Sequence, residues 1–317
     1  MTSLTIQMGT APPADEPLEG FGANVTGGTG QSDYHVTTLT ATGAGSIMDA
    51  LSASNRNIIF DVSGTINLGS AAIRYVTAIS NFTLDGGGAI TLTGSPLWFR
   101  TGCDNFIIRN IRHRGGWTGD AQTGDCFTIV GCTNYAFQHV STSQFTDEGI
   151  SSTGACSDYT LQDCLIGDAH DPLHNYGSLN DATRGTFLRN AFIGLEYRAP
   201  QCEGGLYDIV NCVNVGLSPT MSYAIVALLG AQVNATNGYM QDVTDSTDPG
   251  DPALFYHTGM SLVNTDPLPT SDSINTIPGY AQIASPMSAA AAVAHIKSNA
   301  GCLPHDATDI ALLAMID

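Results

Sequence analysis

Arg198 is the residue whose type and surroundings point most directly to chemistry in this sequence. It is followed by an alanine and Pro200, and it lies between two strand-like segments at residues 185–192 and 206–213. Because proline removes a backbone donor and bends the chain at the edge of a strand, it fixes the turn and directs Arg198 outward. Two interpretations remain open: a functional cation, or a structural arginine paired with one of many carboxylates.

The charge of the chain restricts its possible partners. The 317 residues carry a formal net charge of −19, and Lys297 is the one lysine. Binding to nucleic acid or to an anionic membrane surface needs a basic face, so both partners are excluded. An acidic polymer is compatible with this charge only if cations bridge the two. No run of about 18 apolar residues predicts a membrane span, and no signal peptide is visible at the start of the chain.

The elements that must position Arg198 follow a repeat in the sequence. Short alternating apolar strands each reach a polar residue, and these polar positions are Asp85, Asn110, His139, Asp163, Asn190, Asn211 and Asp242. A period of 20 to 50 residues is typical of a solenoid. Because no helices intervene, the pattern predicts an all-β fold, a right-handed parallel β-helix with short capping helices at its ends.

The ends of this solenoid should be covered. Ser46 can cap a short helix at residues 47–53, and the alanine-rich stretch 288–299 predicts a second helix that covers the last coil or lies along its side. The polar stretch 244–252 is expected to be a loop. We expect one domain over residues 1–317, with the β-helix at about 20–285 and a helical tail at 286–317 that packs on it.

The cysteines show no pattern that is typical of a metal site. The chain has eight of them and no Cys-x-x-Cys pair. Cys103, Cys132 and Cys156 begin similar segments of the repeat, which predicts a stack of buried thiols. Disulfides between neighbouring coils remain an alternative.

Several motifs, in order along nearly the whole chain, resemble the pectate lyases of polysaccharide lyase family 1. These are Gly20-Phe21-Gly22-Ala23-Asn24, Ile58-Ile59-Phe60-Asp61, Ile111-Arg112-His113-Arg114, Phe145-Thr146-Asp147-Glu148, His174-Asn175-Tyr176-Gly177-Ser178-Leu179, Arg198-Ala199-Pro200 and Leu303-Pro304-His305-Asp306.

The resemblance implies Ca²⁺-assisted β-elimination of galacturonan, with Arg198 in the position of the family's base. Asp125 and Asp147 match two calcium-ligand positions of the family. Glu148 and Asp168 are further candidates because they lie on successive coils. For each of these acids the alternative is a solvated carboxylate at a coil turn.

The sequence also departs from the family. Glu203 stands where the resemblance implies a second arginine, five residues after the base, and the expected lysine falls near Asp171 and Pro172. His174 or His170 could replace that lysine, although a histidine in a coil turn is more often structural.

Other positions in the same region also differ from the family or are ambiguous. Ser151 and Thr123 replace two further acids, and Ala136 and Gln138 replace a tryptophan and an aspartate. Arg184 lies one strand before Arg198 and points either to the same groove or to solvent.

Three functions therefore remain open. The first is an extracellular, monomeric lyase that acts with Ca²⁺ on pectate or a related uronate polymer. The second is a glycan-binding or phage-tail-like β-helix protein whose catalytic residues have been lost. The third is a calcium-independent lyase of methylated pectin, or a hydrolase, which would need two acids about 5–9.5 Å apart.

Overall fold

The structure is a computed structural model that describes residues 16–70, 72–170, 174–216, 221–249, 253–268, 283 and 285–317. Its strands pair in parallel and coil into three faces, which we call sheets 1, 2 and 3. The parallel β-helix expected from the repeat is confirmed, with about 9 turns in the described part of the chain.

Each face is a ladder of strands from successive coils. Sheet 1 contains β4 (Arg74–Thr77), β6 (Leu97–Arg100), β8 (Phe127–Val130), the start of β10 (Ile150–Gln162), β12 (Leu179–Ala182), β15 (Gln201–Glu203), β18 (Met221–Leu228) and β21 (Val243–Pro249).

Sheet 2 contains β1 (Ser32–Val36), β2 (Arg56–Phe60), the starts of β5 (Ser80–Thr93), β7 (Asp104–His113) and β9 (Thr133–Thr142), the end of β10, β13 (Arg184–Leu188), β16 (Leu206–Val210), β19 (Gln232–Thr236) and β22 (Leu254–Thr258).

Sheet 3 contains β3 (Gly64–Asn67), the ends of β5, β7 and β9, β11 (Leu165–Gly167), β14 (Ala191–Leu195), β17 (Val213–Gly216), β20 (Tyr239–Gln241) and β23 (Ser261–Val263).

The interior is a column of side chains that repeats from coil to coil. Phe82, Phe106, Tyr135 and Tyr159 lie at equivalent positions of sheet 2 and stack with ring centroids 5.0 to 5.1 Å apart. All eight cysteines are buried free thiols. The predicted stack of buried thiols is therefore confirmed.

Polar residues form the corner between sheets 2 and 3. The residues there adopt left-handed backbone conformations, in which asparagine and aspartate are favoured; they are Asn110, His139, Asp163, Arg189, Asn211 and Asn237. Three of the seven repeat positions differ from the corner: Arg189 and Asn237 occupy it instead of Asn190 and Asp242, and Asp85 pairs with Arg109, one position before the corner residue Asn110. Asp242 follows β20 of sheet 3, whose apolar alternation resembles that of sheet 2 strands.

Helices cover the first coil and one side of the solenoid, and none of the described helices covers the last coil, so the expectation of a capping helix at that end was wrong. The predicted helix after Ser46 is confirmed as α1 (Ile47–Ala50), and the second predicted helix is α2 (Ala289–Asn299), which is followed by α3 (Ala307–Leu313). The tail lies along the side, where Ile296 and Leu312 pack on apolar residues of sheet 3.

Two further observations concern the remaining segments. The expected loop at residues 244–252 is wrong where the structure describes it, because β21 there pairs with β18. None of the described helices has the length and apolar character that crossing a bilayer requires.

Candidate functional site

Four consecutive loops that lead from sheet 3 into sheet 1 bring the candidate residues together. They occupy residues 114–126, 143–149, 168–178 and 196–200, and residues 171–173 lie outside the described part. Because parallel coils stack in register, the ends of these loops lie beside one another along one edge of sheet 1.

Three carboxylates form a compact group at this edge, which we call the acid cluster. Asp125, Asp147 and Glu148 each offer one oxygen, and these oxygens all lie within 4.8 Å of one another. Asp125 is held by two donors: its Oδ2 accepts a 2.7 Å hydrogen bond from Thr128 Oγ1, and its Oδ1 accepts one of 3.0 Å from the Glu148 backbone N–H.

The negative charge of the acid cluster exceeds the positive charge that its neighbouring residues supply. Burial, with a smaller contribution from Asp147, raises the pKa of Asp125 to about 6. Burial and the charge of Glu148 raise the pKa of Asp147 to about 7, and burial and the charge of Asp125 raise the pKa of Glu148 to about 8. Desolvated carboxylates that repel one another are stabilised by a cation.

Arg198 contacts this cluster directly. Its Nη1 donates to Glu148 Oε1, and its guanidinium carbon lies 4.6 Å from the centroid of the Tyr176 ring. The backbone of Arg198 has a φ of 58°, and its carbonyl accepts a 2.7 Å hydrogen bond from Ser178 N–H. Its Nε is buried without a hydrogen-bond partner among the described residues.

His174 also reaches the acid cluster. Its Nδ1 lies 3.7 Å from Asp147 Oδ1, and its ring centroid lies 5.2 Å from that of Tyr176. With 31% of its side chain exposed, it is placed between the cluster and solvent. From this position His174 could contact both a bound ligand and Asp147.

The structure places the four other candidates elsewhere. Asp168 is exposed and accepts a 2.6 Å hydrogen bond from Gln144 Nε2, and His170 is exposed in the same loop. Arg184 pairs with Asp158 at the start of sheet 2. Glu203 lies on β15, where it accepts a hydrogen bond from Gln201 Nε2. None of them joins the acid cluster in the described part of the chain.

Two residues of the site were missed at the sequence level. Tyr176 lies within a motif that was quoted, but its contact with Arg198 depends on the pairing of Tyr176 with Tyr197 on the next coil. Thr128 follows Asp125 by three residues, and a Thr at that spacing just inside a strand was the available signal.

The acid cluster fits a hard cation, whereas a second group of ligand-type side chains does not. Three carboxylates can supply several of the oxygen ligands that Ca²⁺ prefers. Glu16, His139 and Asp163 are similarly close, but Arg189 pairs with both acids of that group and His295 also contacts Asp163, so these side chains already have partners.

Comparisons with known proteins identify relatives over most of the chain. No protein-family model matches the chain. It is 38% identical over 189 residues to a protein of Emericella nidulans named probable pectate lyase C, a match that covers 59% of this chain and 44% of that protein. A protein of the same name from Aspergillus fumigatus is 30% identical over 324 residues, which covers 94% of this chain and 75% of that protein.

A solved structure shares the fold. A pectate lyase from Bacillus sp. N165, in complex with trigalacturonate, superposes with a TM-score of 0.68 at 16% identity and covers 90% of this chain and 98% of its own. The matched part of the chain corresponds to slightly less than half of the Emericella nidulans protein and to three quarters of the Aspergillus fumigatus protein.

Proposed function

Because this chain belongs to the pectate lyase family, we propose that it cleaves pectate or a related uronate polymer by β-elimination, with Ca²⁺ as cofactor and Arg198 as base. The observation that carries the proposal is the contact between the Arg198 guanidinium and the largely buried acid cluster at the edge of sheet 1. A base and a group of cation ligands thus lie within reach of one sugar unit.

β-Elimination removes the proton from C5 of a uronate, forms a double bond between C4 and C5, and breaks the bond from C4 to the glycosidic oxygen. Arg198, after its guanidinium has lost a proton to solvent, would accept the C5 proton, and the leaving oxygen would take a proton from solvent. A guanidinium gives up its own proton in water only above about pH 12. We therefore expect the fastest turnover at alkaline pH.

The chain's own residues hold Arg198 for this role. Glu148 fixes one end of the guanidinium, Tyr176 packs against its plane, and the Ser178 N–H holds its backbone. Since fixing a catalytic group in advance avoids reorganisation during the reaction, these contacts contribute to the rate.

Asp125, Asp147 and Glu148 would hold Ca²⁺. Bound there, the ion would withdraw charge from the substrate carboxylate and make the C5 proton more acidic. A cation also offsets the repulsion between a chain of net charge −19 and a polyanion. A large polysaccharide is met outside the cell, so we place the protein there.

The alternatives make different demands on the site. A calcium-independent lyase would leave three clustered carboxylates with raised pKa values without a role. A glycan-binding protein without activity is favoured by Glu203, which occupies the position expected of a second arginine. A hydrolase needs one carboxyl group as general acid and another as base or nucleophile on opposite sides of the scissile bond, whereas these three carboxylates direct oxygens toward one common point.

The test follows unsaturated products by their ultraviolet absorbance while the protein acts on polygalacturonate at alkaline pH. We expect a rise that requires Ca²⁺, is abolished by a chelator, and falls about 100-fold or more in Arg198→Ala, which is the scale of acid–base catalysis. Arg184→Ala serves as the control, because Arg184 pairs with Asp158 away from the cluster.

Each alternative has its own outcome in this assay. Activity that persists with chelator and prefers methylated pectin would contradict the calcium cofactor. An unchanged rate in Arg198→Ala would refute its role as base. A flat trace with every uronate polymer, together with binding of oligogalacturonates, would instead identify a glycan-binding protein.

A further inference from the structure

The outer surface of sheet 1 carries an aromatic pair beside the acid cluster. Tyr75 on β4 pairs in register with Trp98 on β6, and their ring centroids are 5.8 Å apart in an edge-to-face arrangement. Side chains alternate across a strand, and the neighbours Leu97 and Phe99 are fully buried, so Trp98 points outward. Tyr75 is 49% exposed, which is unusual for a large side chain paired with tryptophan.

The aromatic pair lies on the same face of the solenoid as the acid cluster, on the strands next to it. Trp98 pairs in register with Thr128 on β8, and Thr128 Oγ1 donates the 2.7 Å hydrogen bond to Asp125. Neighbouring strands lie about 4.8 Å apart, so Trp98 is one strand from the acid cluster and Tyr75 is two strands away. A polymer that crosses sheet 1 over the cluster would therefore pass over both rings.

A cation accompanies the rings. Arg100 follows Trp98 by two residues, so it faces outward as well, and its guanidinium carbon lies 5.4 Å from the Tyr75 ring centroid. Arg100 is exposed, and no carboxylate within the described residues pairs with it, whereas Arg109, Arg184 and Arg198 are all ion-paired. An exposed arginine without a carboxylate partner is available to an anionic ligand.

We propose that Tyr75, Trp98 and Arg100 form a distal sugar-binding subsite for an acidic polysaccharide. Because the two ring planes are nearly perpendicular, one ring would receive the apolar C–H face of a uronate unit while the other borders it. Arg100 would bind the carboxylate of that unit through two parallel hydrogen bonds. The subsite deepens the proposed function, on which it rests, because it adds a contact to units beyond those at Arg198.

The subsite predicts that affinity grows with oligomer length. The experiment measures, by calorimetry with Ca²⁺ present, the binding of tri- and hexagalacturonate to the Arg198→Ala protein and to the same protein with Tyr75→Ala or Arg100→Gln added. We expect each added change to weaken hexagalacturonate binding about tenfold, a difference of about 1.4 kcal/mol. Binding of trigalacturonate at the cluster should change less than twofold.

A matched control separates this effect from general damage. Tyr256→Ala removes a half-buried tyrosine from β22 on sheet 2, away from the outer surface of sheet 1, and should leave the binding of both oligomers unchanged. Unfolding temperatures of all variants are compared first. Because Tyr75 is half-exposed, its truncation should leave the fold intact.

The outcomes distinguish the subsite from the proposed function. If hexagalacturonate binds no better than trigalacturonate, or binds equally well after Tyr75→Ala and Arg100→Gln, the subsite is refuted while the lyase proposal stands. If neither oligomer binds although the protein is folded, the proposed function fails and the subsite fails with it.

Discussion

The acid cluster is a group of side chains whose protonation and metal binding are linked. Burial and mutual repulsion raise the pKa values of Asp125, Asp147 and Glu148 to about 6, 7 and 8. Arg198 is the cation that contacts Glu148, so it acts as an internal counter-charge. A bound metal ion and Arg198 would therefore share the neutralisation of the same acids.

This linkage predicts the pH dependence of stability. All three folded-state pKa values lie above the ordinary values of near 4, so the ion-free folded protein binds more protons than the unfolded chain between about pH 4 and 8. Its stability should fall as pH rises through that window. Added Ca²⁺ should raise the unfolding temperature more at pH 8 than at pH 5, which thermal scans can measure.

Glu148→Gln provides the control for this prediction. The variant removes one ionisable group from the cluster, so the loss of stability between pH 5 and 8 should shrink and the response to Ca²⁺ should weaken. A calcium response that is equal at pH 5 and 8 in the unchanged protein would contradict the linkage.

At this scale, sequence reasoning identified residues that motifs carry and missed those that depend on the coil geometry. Asp125, Asp147 and Arg198, which the resemblance indicated, lie together with Glu148, which was added because of its position on successive coils. Asp168 was grouped with them on the same argument. Its left-handed conformation at the first position after β11 instead places it against Gln144.

Among the elements, the short loops that enter sheet 1 decide where the functional side chains point. The loop of Arg198 packs against the preceding coil at Gly177. A Cβ placed on Gly177 would stand 2.5 Å from the carbonyl oxygen of Arg198 and 2.9 Å from Leu195. Because a backbone atom cannot yield as a flexible side chain does, the two coils would have to separate.

Gly177→Ala should therefore displace Arg198. We expect a loss of stability of roughly 1–3 kcal/mol, typical of overpacking, and a fall in kcat that exceeds any change in KM. Gly30→Ala is the control: its φ is 76° but a Cβ there would meet nothing within 4 Å, so the variant should lose some stability and keep its kcat. Full activity in Gly177→Ala would show that the coil spacing does not position Arg198.

The elements were largely predictable because their signals are local. The cap at Ser46, the alanine-rich helix near residues 288–299 and the alternation of strands all appear in the sequence and in the structure. The assignment of a strand to sheet 2 or sheet 3 was not predictable at residues 238–242, because strands of both sheets bury the same face and differ only in their neighbours.

Across the whole molecule, one buried ionic network joins the N-terminal segment, the coils and the tail. Asp163 is fully buried on the corner between sheets 2 and 3, where Arg189 and His295 of α2 contact it. Arg189 also pairs with Glu16 and Glu19. Burial alone would raise the pKa of Asp163, but the hydrogen bond from His295 and the charge of Arg189 lower it.

Breaking this network should destabilise the entire fold. Arg189→Met leaves Asp163 buried without its main partner, which typically costs about 3–5 kcal/mol. Arg184→Met, which removes a half-exposed pair with Asp158, should cost no more than about 1 kcal/mol. Urea unfolding of both variants tests this, and equal losses would contradict a structural role for the buried network.

The solenoid architecture followed from the period of the repeat. The contacts that join the N-terminal segment and the C-terminal tail to the coils did not. The spacing of the polar corner residues determines a solenoid, because each coil can bury its apolar face only against its neighbours. Nothing local to Glu16, Asp163 or His295 indicates that they meet, since the contact from Asp163 to His295 spans 132 positions.

The eight buried thiols make the opening of the fold measurable. A thiol reagent reacts with the exposed thiolate, so each cysteine is protected for as long as its coil stays closed. Because the thiols run from Cys103 to Cys302, identification of the modified peptides over time would rank the coils by how often they open. The cysteines thus report local opening of the fold, and the cysteine that is alkylated most slowly would identify the coil that opens least often.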